Sequence, residues 1–288
     1  MSRPTVPLRL IGFNVRFATT KPFPGEEPWS VRLPKICAQL RFTLIGHDSA
    51  FLCLQEVLHS QLEDIQSCLG DAWDHIGKGR DDGKTAGEFS PVFYRSDTWT
   101  CIRNQTLWLS ETPETPSRGW DAALNRVVTV GLFEHKETKA RAIVMSTHFD
   151  HRGENAREES ARLLVKIAHN WYKDTGGGKD DQPAVFIGGD FNSTPDGKAY
   201  QAITQPDTGM KDIRDLVPKE RRYGNDEITY TSFAGEEKQT RIDFLFTLAT
   251  VTGIAYRTFA ILPNRFDDGI ALSDHRAVVA DVEIPIRD

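Results

Sequence analysis

The stretch Pro183-Ala-Val-Phe-Ile-Gly-Gly-Asp190-Phe-Asn192-Ser-Thr-Pro195 gives the strongest indication of how this chain folds. Its run of four apolar residues, rich in β-branched and aromatic types, predicts a short buried strand, and the two glycines predict a tight turn at the strand end. Asp190 and Asn192 are two positions apart, so they project from the same side of the chain if extended geometry continues that far. A helix is predicted directly afterwards, over residues 196–203. The stretch therefore predicts a strand that delivers polar side chains to the edge of a sheet.

Further strands and helices alternate along the chain. Strands are predicted at residues 8–15, 48–57, 90–95, 98–107, 127–133, 140–147, 229–233, 241–248, 253–262 and 277–284, and helices at 29–45, 58–69 and 154–172. The glycines at 176–178 are expected to end the last helix in a flexible connection. This alternation indicates layered α/β structure. Because polar strand ends are spread from Asn14 to His275, the site needs the whole chain, and residues 1–288 are predicted to form one domain.

Composition limits the class of protein. The 288 residues, 39% of them hydrophobic, are enough for a substantial core. No run approaches the roughly 20 apolar residues that cross a bilayer, and residues 1–10 lack the apolar region of a signal peptide. We therefore expect a cytoplasmic protein with no membrane partner. A secretory leader that had already been removed would leave no trace in this sequence. The net charge of −6 argues against a broad basic face for duplex nucleic acid, and a monomer is expected.

The four cysteines show no CxxC spacing. They are Cys37, Cys53, Cys68 and Cys101, and Cys53 lies inside an apolar run. This pattern predicts free thiols in a reducing compartment rather than a disulfide framework or a zinc site.

Six places along the chain share one pattern, in which a polar or titratable residue ends, interrupts or precedes an apolar strand. They are Asn14, Glu56, His148, Asp190 with Asn192, Asp243, and Ser273-Asp274-His275. Each one alone is more often a solvated strand end. Six together indicate a site, because sheets place catalytic groups at one edge where loops surround them. Asp243 adds weight, since a charge inside a buried strand is costly unless it is paired or binds a metal.

The residue types in this set favour metal-assisted hydrolysis of phosphoesters. Glu56 and Asp274 are hard oxygen ligands, and with Asn14 they suit Mg²⁺ or Mn²⁺. Asp190, held by the amide of Asn192, is the candidate base for the attacking water.

Two histidines complete the predicted chemistry. His148 and His275 are expected to hydrogen-bond the non-bridging phosphate oxygens, with Asp243 orienting His275. Rival motifs fail on details. A calcineurin-like phosphatase requires a histidine after Gly189-Asp190, and the chain has no GxSxG, P-loop or strand-borne GxGxxG motif.

The ordered motifs along the chain resemble those of the endonuclease/exonuclease/phosphatase superfamily. They are Phe13-Asn14-Val15, Gln55-Glu56-Val57, Asn125-Arg126, Thr147-His148-Phe149-Asp150, Gly189-Asp190-Phe191-Asn192, Arg241-Ile242-Asp243-Phe244 and Ser273-Asp274-His275. The resemblance implies a four-layered α/β sandwich, in which two mixed sheets pack face to face between helices, as in DNase I. It also implies a Mg²⁺-dependent phosphoesterase site with the roles given above, and a phosphate contact at Arg126.

Arg16 departs from the superfamily's abasic-site nucleases, which tend to have an acid at this position. The chain also lacks their basic DNA-straddling loops, so abasic repair is disfavoured. Three further residues are candidates for substrate binding: Arg157, Glu88 and Trp120. For each of them a solvated or loop-packing role is an open alternative, and Trp108 is expected to pack against its loop.

The sequence thus predicts a Mg²⁺- or Mn²⁺-dependent phosphatase or phosphodiesterase acting on a phosphorylated small molecule or nucleotide. The alternative is a nuclease for RNA or single strands, without duplex selectivity, and a catalytically silent binding module is a third possibility.

Overall fold

The computed structural model describes residues 4–175, 182–224, 227–235 and 238–286, which form two sheets and flanking helices. The strands are β1 (Thr5–Asn14), β2 (Ala50–Gln55), β3 (Trp73–Ile76), β4 (Val92–Arg95), β5 (Trp99–Trp108), β6 (Val127–His135), β7 (Arg141–His148), β8 (Ala184–Asp190), β9 (Met210–Asp212), β10 (Arg222–Tyr223), β11 (Asp243–Leu248), β12 (Ala255–Ile261) and β13 (Val278–Pro285). The helices are α1 (Trp29–Leu44), α2 (His59–Leu69), α3 (Glu154–Asp174), α4 (Lys198–Thr204) and α5 (Ile213–Leu216). The glycine connection predicted at 176–178 lies outside the described residues.

Both sheets are mixed. In the described chain the first has the strand order β10-β12-β13-β1-β2-β4-β3, and the second has the order β5-β6-β7-β8-β11-β9. The pairs β1–β2 and β7–β8 are parallel, so within each pair the carboxyl ends reach the same edge. The antiparallel neighbours β11 and β13 begin at those edges. Four central strand ends therefore meet where the polar residues were predicted.

The two sheets pack face to face over an apolar core. Phe51 packs in it against both Trp99 and Phe133, and all three are fully buried. Gly188 of β8 faces this interface, where an added Cβ would lie 2.8 Å from the Cβ of Cys53 in the other sheet. The glycine is therefore required for close approach of the sheets, and it lies inside β8. The prediction of a tight turn at the two glycines is wrong for this reason.

Helices cover the outer faces of both sheets. On the first sheet, α1 and α2 contribute apolar residues such as Ile36 and Leu62 to a core shared with Leu52 of β2. On the second, α3 and α4 pack Leu164 and Ile203 into the other outer core. The result is helix, sheet, sheet and helix, and the predicted four-layered sandwich is confirmed. Within the described residues, no helix combines the length and apolar character that a bilayer crossing requires.

Cys37 of α1 and Cys68 of α2 form a disulfide, with Cα atoms 6.0 Å apart. The prediction of free thiols is therefore wrong for this pair. The two residues are 31 positions apart, and they meet because the helices that carry them pack side by side, which spacing in the sequence does not reveal. Cys53 and Cys101 are free, as predicted.

Secondary structure differs from the predictions elsewhere too, and the short strands β9 and β10 were not predicted. Residues 229–233 form isolated bridges at Tyr230 instead of a strand. The helix expected from residue 196 begins at Lys198, because residues 195–197 form a turn. The short strand β3 was not predicted, since its four residues carry Asp74 and His75 between the apolar ends.

Candidate functional site

Strand pairing brings three predicted site residues side by side in the second sheet. His148 pairs with Asp190 across β7 and β8, and Asp243 pairs with Asp190 across β8 and β11. All three side chains are buried. In the first sheet, Asn14 at the end of β1 pairs with Gln55 at the end of β2. The ladders themselves, and not the loops, therefore fix the positions of these groups.

The strands β1 and β8 end in the same kind of turn. The Oδ1 atom of Asn14 accepts a hydrogen bond from the backbone N–H of Arg16, and Oδ1 of Asp190 accepts one from the backbone N–H of Asn192, each at 2.9 Å. The third residue of each turn has positive φ, 60° for Arg16 and 47° for Asn192. Extended geometry therefore stops at Asp190, and Asn192 does not continue along the same side of the strand.

The side-chain amide of Asn14 links acids from the two sheets. Its Nδ2 donates to Oε1 of Glu56 and to Oδ2 of Asp190, both at 3.0 Å. Its Oδ1 accepts from Arg16, so both ends of the amide are engaged. In this orientation Asn14 holds the two carboxylates in place.

His275 and Asp243 form a buried pair. Their Nδ1 and Oδ2 atoms are 2.8 Å apart, and Nε2 of His275 lies 3.6 Å from Oδ2 of Asp190. Burial alone would lower the pKa of His275, but the charges of Asp243 and Asp190 outweigh it and raise that pKa well above its usual value. His275 is therefore suited to carry a positive charge beside Asp190.

Asp190 lies at the centre of the site. Burial, together with the charge of Asp243, raises the pKa of Asp190 to about 7. Nε2 of His148 lies 3.4 Å from Asp190 Oδ2 and 3.0 Å from Nδ2 of Asn192. Burial and the nearby Arg126 guanidinium lower the pKa of His148 well below its usual value, so His148 is neutral. Asn192 thus supports Asp190 through its backbone N–H, while its side chain contacts His148.

Glu56 and Asp274 are the acids that fit a divalent cation. Both line the same cavity, and burial and the charge of Glu56 together raise the pKa of Asp274. Burial opposes ionisation of Glu56 as well, but Arg16 and the amide of Asn14 outweigh burial and lower its pKa. A half-buried carboxylate and a buried one that repel each other are a suitable donor set for a hard cation.

A second group of possible ligand atoms belongs to Asp190, Asp243 and His275. These atoms lie within 4.8 Å of one another. However, Nδ1 of His275 and Oδ2 of Asp243 are already hydrogen-bonded to each other. The group is therefore better described as a hydrogen-bonded pair beside Asp190 than as a metal site.

Glu88 is ordered by a partner that the sequence did not suggest. Nη1 and Nη2 of Arg80 donate to its two carboxylate oxygens at 2.7 and 2.8 Å. Its Oε2 lies 3.9 Å from Nδ1 of His148, and that nitrogen has no hydrogen-bond partner among the described residues. Burial, together with the charge of Glu56, raises the pKa of Glu88 to about 7. Glu88 therefore lines the cavity as an immobilised side chain beside His148.

Arg126 and Arg157 lie at the His148 side of the cavity. The guanidinium of Arg126 is buried, and its Nε and Nη1 atoms have no hydrogen-bond partner in the described chain, while Nη2 lies 3.1 Å from Nδ1 of His151. Arg157 donates to the backbone oxygen of Asp150 at 3.0 Å. Both guanidinium groups therefore lie beside the cavity, and that of Arg126 is also paired with Asp150, with 3.5 Å between Nε and Oδ2.

Trp108 and Trp120 lie in different surroundings. Trp108 is buried and donates through Nε1 to the backbone oxygen of Arg80, so it packs its loop as predicted. Trp120 is half-buried and is not among the described residues that line the cavity. The structure therefore does not bring Trp120 into the site.

Two buried polar side chains hold the loop after β1. Arg32 of α1 donates to the backbone oxygens of Val15, Arg16 and Leu272, and Gln61 of α2 also donates to the oxygen of Arg16. Both side chains are fully buried. Sequence reasoning missed them because basic and amide residues on a helix usually face solvent. Their role is apparent only from the carbonyl groups that need donors.

Most of the predicted site residues open into one cavity of about 760 Å³, but Asn14, Asp243 and Trp120 are not among the described residues that line it. Described residues that line it include Arg16, Phe17, Phe23, Glu56, Glu88, Leu124, Arg126, His148, Arg157, Asp190, Asn192, Asp274 and His275. The cavity is large enough for a substrate bigger than inorganic phosphate.

Comparison with protein families gives one match over most of the chain. The model of the Endonuclease/Exonuclease/phosphatase family matches residues 11–275. No curated protein matches the chain.

Solved structures similar to this chain include three from Bacteroides. An endonuclease/exonuclease/phosphatase from Bacteroides vulgatus is 32% identical, with a TM-score of 0.83, over 97% of this chain and 99% of that one. A family protein from Bacteroides thetaiotaomicron is 27% identical, with a TM-score of 0.84, over 98% and 99%. A mannosyl-6-phosphatase from Bacteroides thetaiotaomicron is 28% identical, with a TM-score of 0.79, over 96% and 99%.

Proposed function

Because this chain belongs to the Endonuclease/Exonuclease/phosphatase family, we propose that it hydrolyses small phosphate esters, with a sugar phosphomonoester as the preferred class of substrate. The observation that carries the proposal is the hydrogen bonding of Asn14, whose amide joins Glu56 of one sheet to Asp190 of the other. The same amide thereby holds Glu56, which can bind a cation, and Asp190, which can accept a proton. Phosphoester hydrolysis requires both.

Asp190 is the proposed general base. A water molecule attacks phosphorus in line with the leaving oxygen, and its proton passes to a carboxylate oxygen of Asp190. The bond between phosphorus and the ester oxygen breaks without a covalent intermediate, and the leaving oxygen takes a proton from solvent and departs as the alcohol. A pKa of about 7 suits this role, because a base is most effective when its pKa is near the working pH. The backbone N–H of Asn192 holds the carboxylate in position.

His275 and His148 are the proposed phosphate contacts. His275 carries a positive charge maintained by Asp243, and it donates to a phosphate oxygen on which charge develops in the transition state. His148 is neutral and lies beside Glu88 and Arg126. His148 therefore approaches Asp190 from the neighbouring strand β7, and His275 approaches it from the segment before β13.

Glu56 and Asp274 would hold a divalent cation, Mg²⁺ or Mn²⁺, with Asn14 keeping Glu56 in position. When bound, such an ion supplies neutralisation of the phosphate charge and of the leaving oxygen. Arg16 lies 3.5 Å from Glu56 through Nη1 and keeps that carboxyl ionised.

The substrate class is supported by the similarity to a mannosyl-6-phosphatase, which extends over nearly all of both chains. Arg126 and Arg157 are the proposed contacts for further oxygens of the phosphate or of the sugar. Trp120 lies outside the cavity lining, so a direct contact with substrate would require it to move.

A panel of substrates with and without EDTA tests the proposal. We expect release of phosphate from hexose 6-phosphates and from p-nitrophenyl phosphate with Mg²⁺ or Mn²⁺, and its loss with EDTA. Cleavage of labelled single-stranded oligonucleotides in preference to monoesters would favour the nuclease. Inactivity on every ester with metal present would favour a binding module.

A further inference from the structure

Phe23 is an exposed aromatic residue at the rim of the catalytic cavity. Half of its surface, 50%, is accessible to solvent, and the side chain lines the cavity. It also borders an adjoining small hollow together with Asp274, one of the acids proposed to hold a cation. Single exposed apolar side chains are common on proteins, so the position of Phe23 at the rim of this cavity, and not its exposure alone, is what distinguishes it.

The backbone and ring of Phe23 are held firmly in place. Its backbone N–H donates to Oε2 of Glu26 at 2.9 Å, and its carbonyl accepts from the N–H of Glu26 at 3.0 Å. The guanidinium carbon of Arg16 lies 4.5 Å from the centroid of the Phe23 ring and 4.2 Å from that of Phe17. Glu26, which is buried, also binds Arg16. The ring is thus built into a network that reaches the site.

From this network we infer that Phe23 is a stacking platform for the organic part of the substrate. The ligand it fits is a phosphate ester whose organic group contains a ring with an apolar face, either a pyranose or a nucleobase. The inference rests on the proposed function and adds a determinant of specificity to it. Aromatic rings stack on such faces, and an immobilised ring loses little conformational entropy when the ligand binds.

Trp120 was a candidate for substrate binding with loop packing as the alternative, but Phe23, and not Trp120, lines the cavity. No pattern in the sequence indicates this role, since Phe23 lies between Pro22 and Pro24 in a segment that has the composition of an ordinary loop. Only the bonds from Glu26 and the contact with Arg16 distinguish it.

Binding of ring and open-chain ligands separates stacking from contact with the phosphate. The probes are mannose 6-phosphate, uridine 5′-monophosphate and mannitol 1-phosphate, the last being an open-chain six-carbon ester. Titration calorimetry with Mg²⁺ would use the Asp190→Asn protein, so that binding is measured apart from turnover. Phe23→Ala is the test variant, and Phe266→Ala, similarly exposed at 52% and not among the residues that line the cavity, is the matched control.

We expect Phe23→Ala to weaken binding of at least one ring ligand about fivefold or more, the range typical of a lost stacking contact. Mannitol 1-phosphate should bind within about twofold of the parent, and Phe266→Ala should change nothing. A loss for the sugar ester alone, or for the nucleotide alone, identifies the ring. Phe23→Trp should retain the preference for rings.

Three results would overturn the inference: an equal loss for all three ligands, no loss for either ring ligand, or no binding of a ring ligand to the parent. An equal loss would mean that Phe23 only shields Arg16 and Glu56 from water. Failure of the proposed function has a different signature. The protein with Asp190 intact would then hydrolyse no phosphate ester, while the comparison of ligand binding would keep its meaning.

Discussion

Glu56 and Asp190 accept hydrogen bonds from the same amide nitrogen of Asn14, yet the pKa values of the two carboxyl groups shift in opposite directions. Burial opposes ionisation of both groups. For Glu56 the charge of Arg16 outweighs burial and lowers the pKa, whereas for Asp190 the charge of Asp243 adds to burial and raises the pKa to about 7. The neighbours, and not the shared donor, therefore set the role of each acid.

The comparison extends to the two sheets. The first sheet places a cation, Arg16, next to its acid, and the second places an acid, Asp243, next to its acid. Glu56, beside the first sheet, is thus favoured to stay negatively charged, and Asp190 of the second sheet is favoured to exchange a proton. The same turn at the ends of β1 and β8 serves both purposes, because the third residue of the turn differs: Arg16 in one and Asn192 in the other.

Removing the proton acceptor should have the largest effect. Asp190→Asn is expected to lower kcat by about 10³-fold or more, since general base catalysis contributes about 10²–10⁴-fold and the orientation of the water is lost as well. Stabilisation by Mn²⁺ in thermal unfolding should remain, because Glu56 and Asp274 are intact. A rate within tenfold of the parent would refute the assignment of the base.

Removing the acid of the first sheet should act on the metal instead. Glu56→Gln is expected to raise the Mg²⁺ concentration for half-maximal activity by about 100-fold, because a charged ligand is replaced by a neutral one. The control is Glu134→Gln, which alters a partly buried acid of β6 that is paired with Arg141 of β7. An unchanged dependence on Mg²⁺ would exclude Glu56 as a ligand.

Asp243→Asn sharpens the comparison, because it removes the neighbour that raises the pKa of Asp190. The pKa of Asp190 should fall, and so should that of His275, which loses its partner. Activity that needs Asp190 deprotonated and His275 protonated should then move to lower pH on both limbs of the pH–rate profile, with a loss of about tenfold or more at the optimum. A profile that keeps its position on the pH axis would contradict this account.

Asp150 is a further acid whose neighbours set its pKa, and here the effect can be measured as a difference in the free energy of unfolding. Burial opposes its ionisation, but the backbone N–H groups of Gly153 and Arg152 outweigh burial and, with Arg126, lower the pKa of Asp150 to about 2. A lowered pKa stabilises the fold above the unfolded value near 4 and ceases to do so as the pH falls toward 2. Asp150→Asn should therefore reduce the free energy of unfolding by about 2 kcal/mol at pH 7, and by much less near pH 2.

Denaturant unfolding at several pH values measures this difference. Asp71→Asn, at an exposed acid, serves as the control and should show no comparable dependence on pH. A constant difference between the parent and Asp150→Asn across the pH range would mean that the hydrogen-bonded carboxylate is not the source of the stability.

Much of the second sheet's contribution was predictable from the sequence. In a layered α/β fold, an apolar run next to a titratable residue predicts a buried strand with that residue at the edge of the sheet. His148, Asp190 and Asp243 reach the site by strand pairing alone. The ordered motifs supplied the rest of the fold. Positions that depend on strand pairing can therefore be predicted from the pattern of apolar and polar residues.

The supporting contacts were not predictable, because they depend on which carbonyl or charge a loop leaves unsatisfied. Arg80 meets Glu88 across a glycine-rich segment that has the composition of a mobile loop. Arg32 looks like a solvated helix residue until the carbonyl groups of Val15 and Leu272 are placed against it. Such contacts join segments whose approach is decided by tertiary packing.

The most direct test of the central claim is the position of a bound cation and phosphate in a crystal grown with Mn²⁺. The account predicts an anomalous peak between the carboxylates of Glu56 and Asp274, with phosphate oxygens within hydrogen-bonding distance of His148 and His275. A peak among Asp190, Asp243 and His275 would contradict it, because the proposed base would then be a metal ligand.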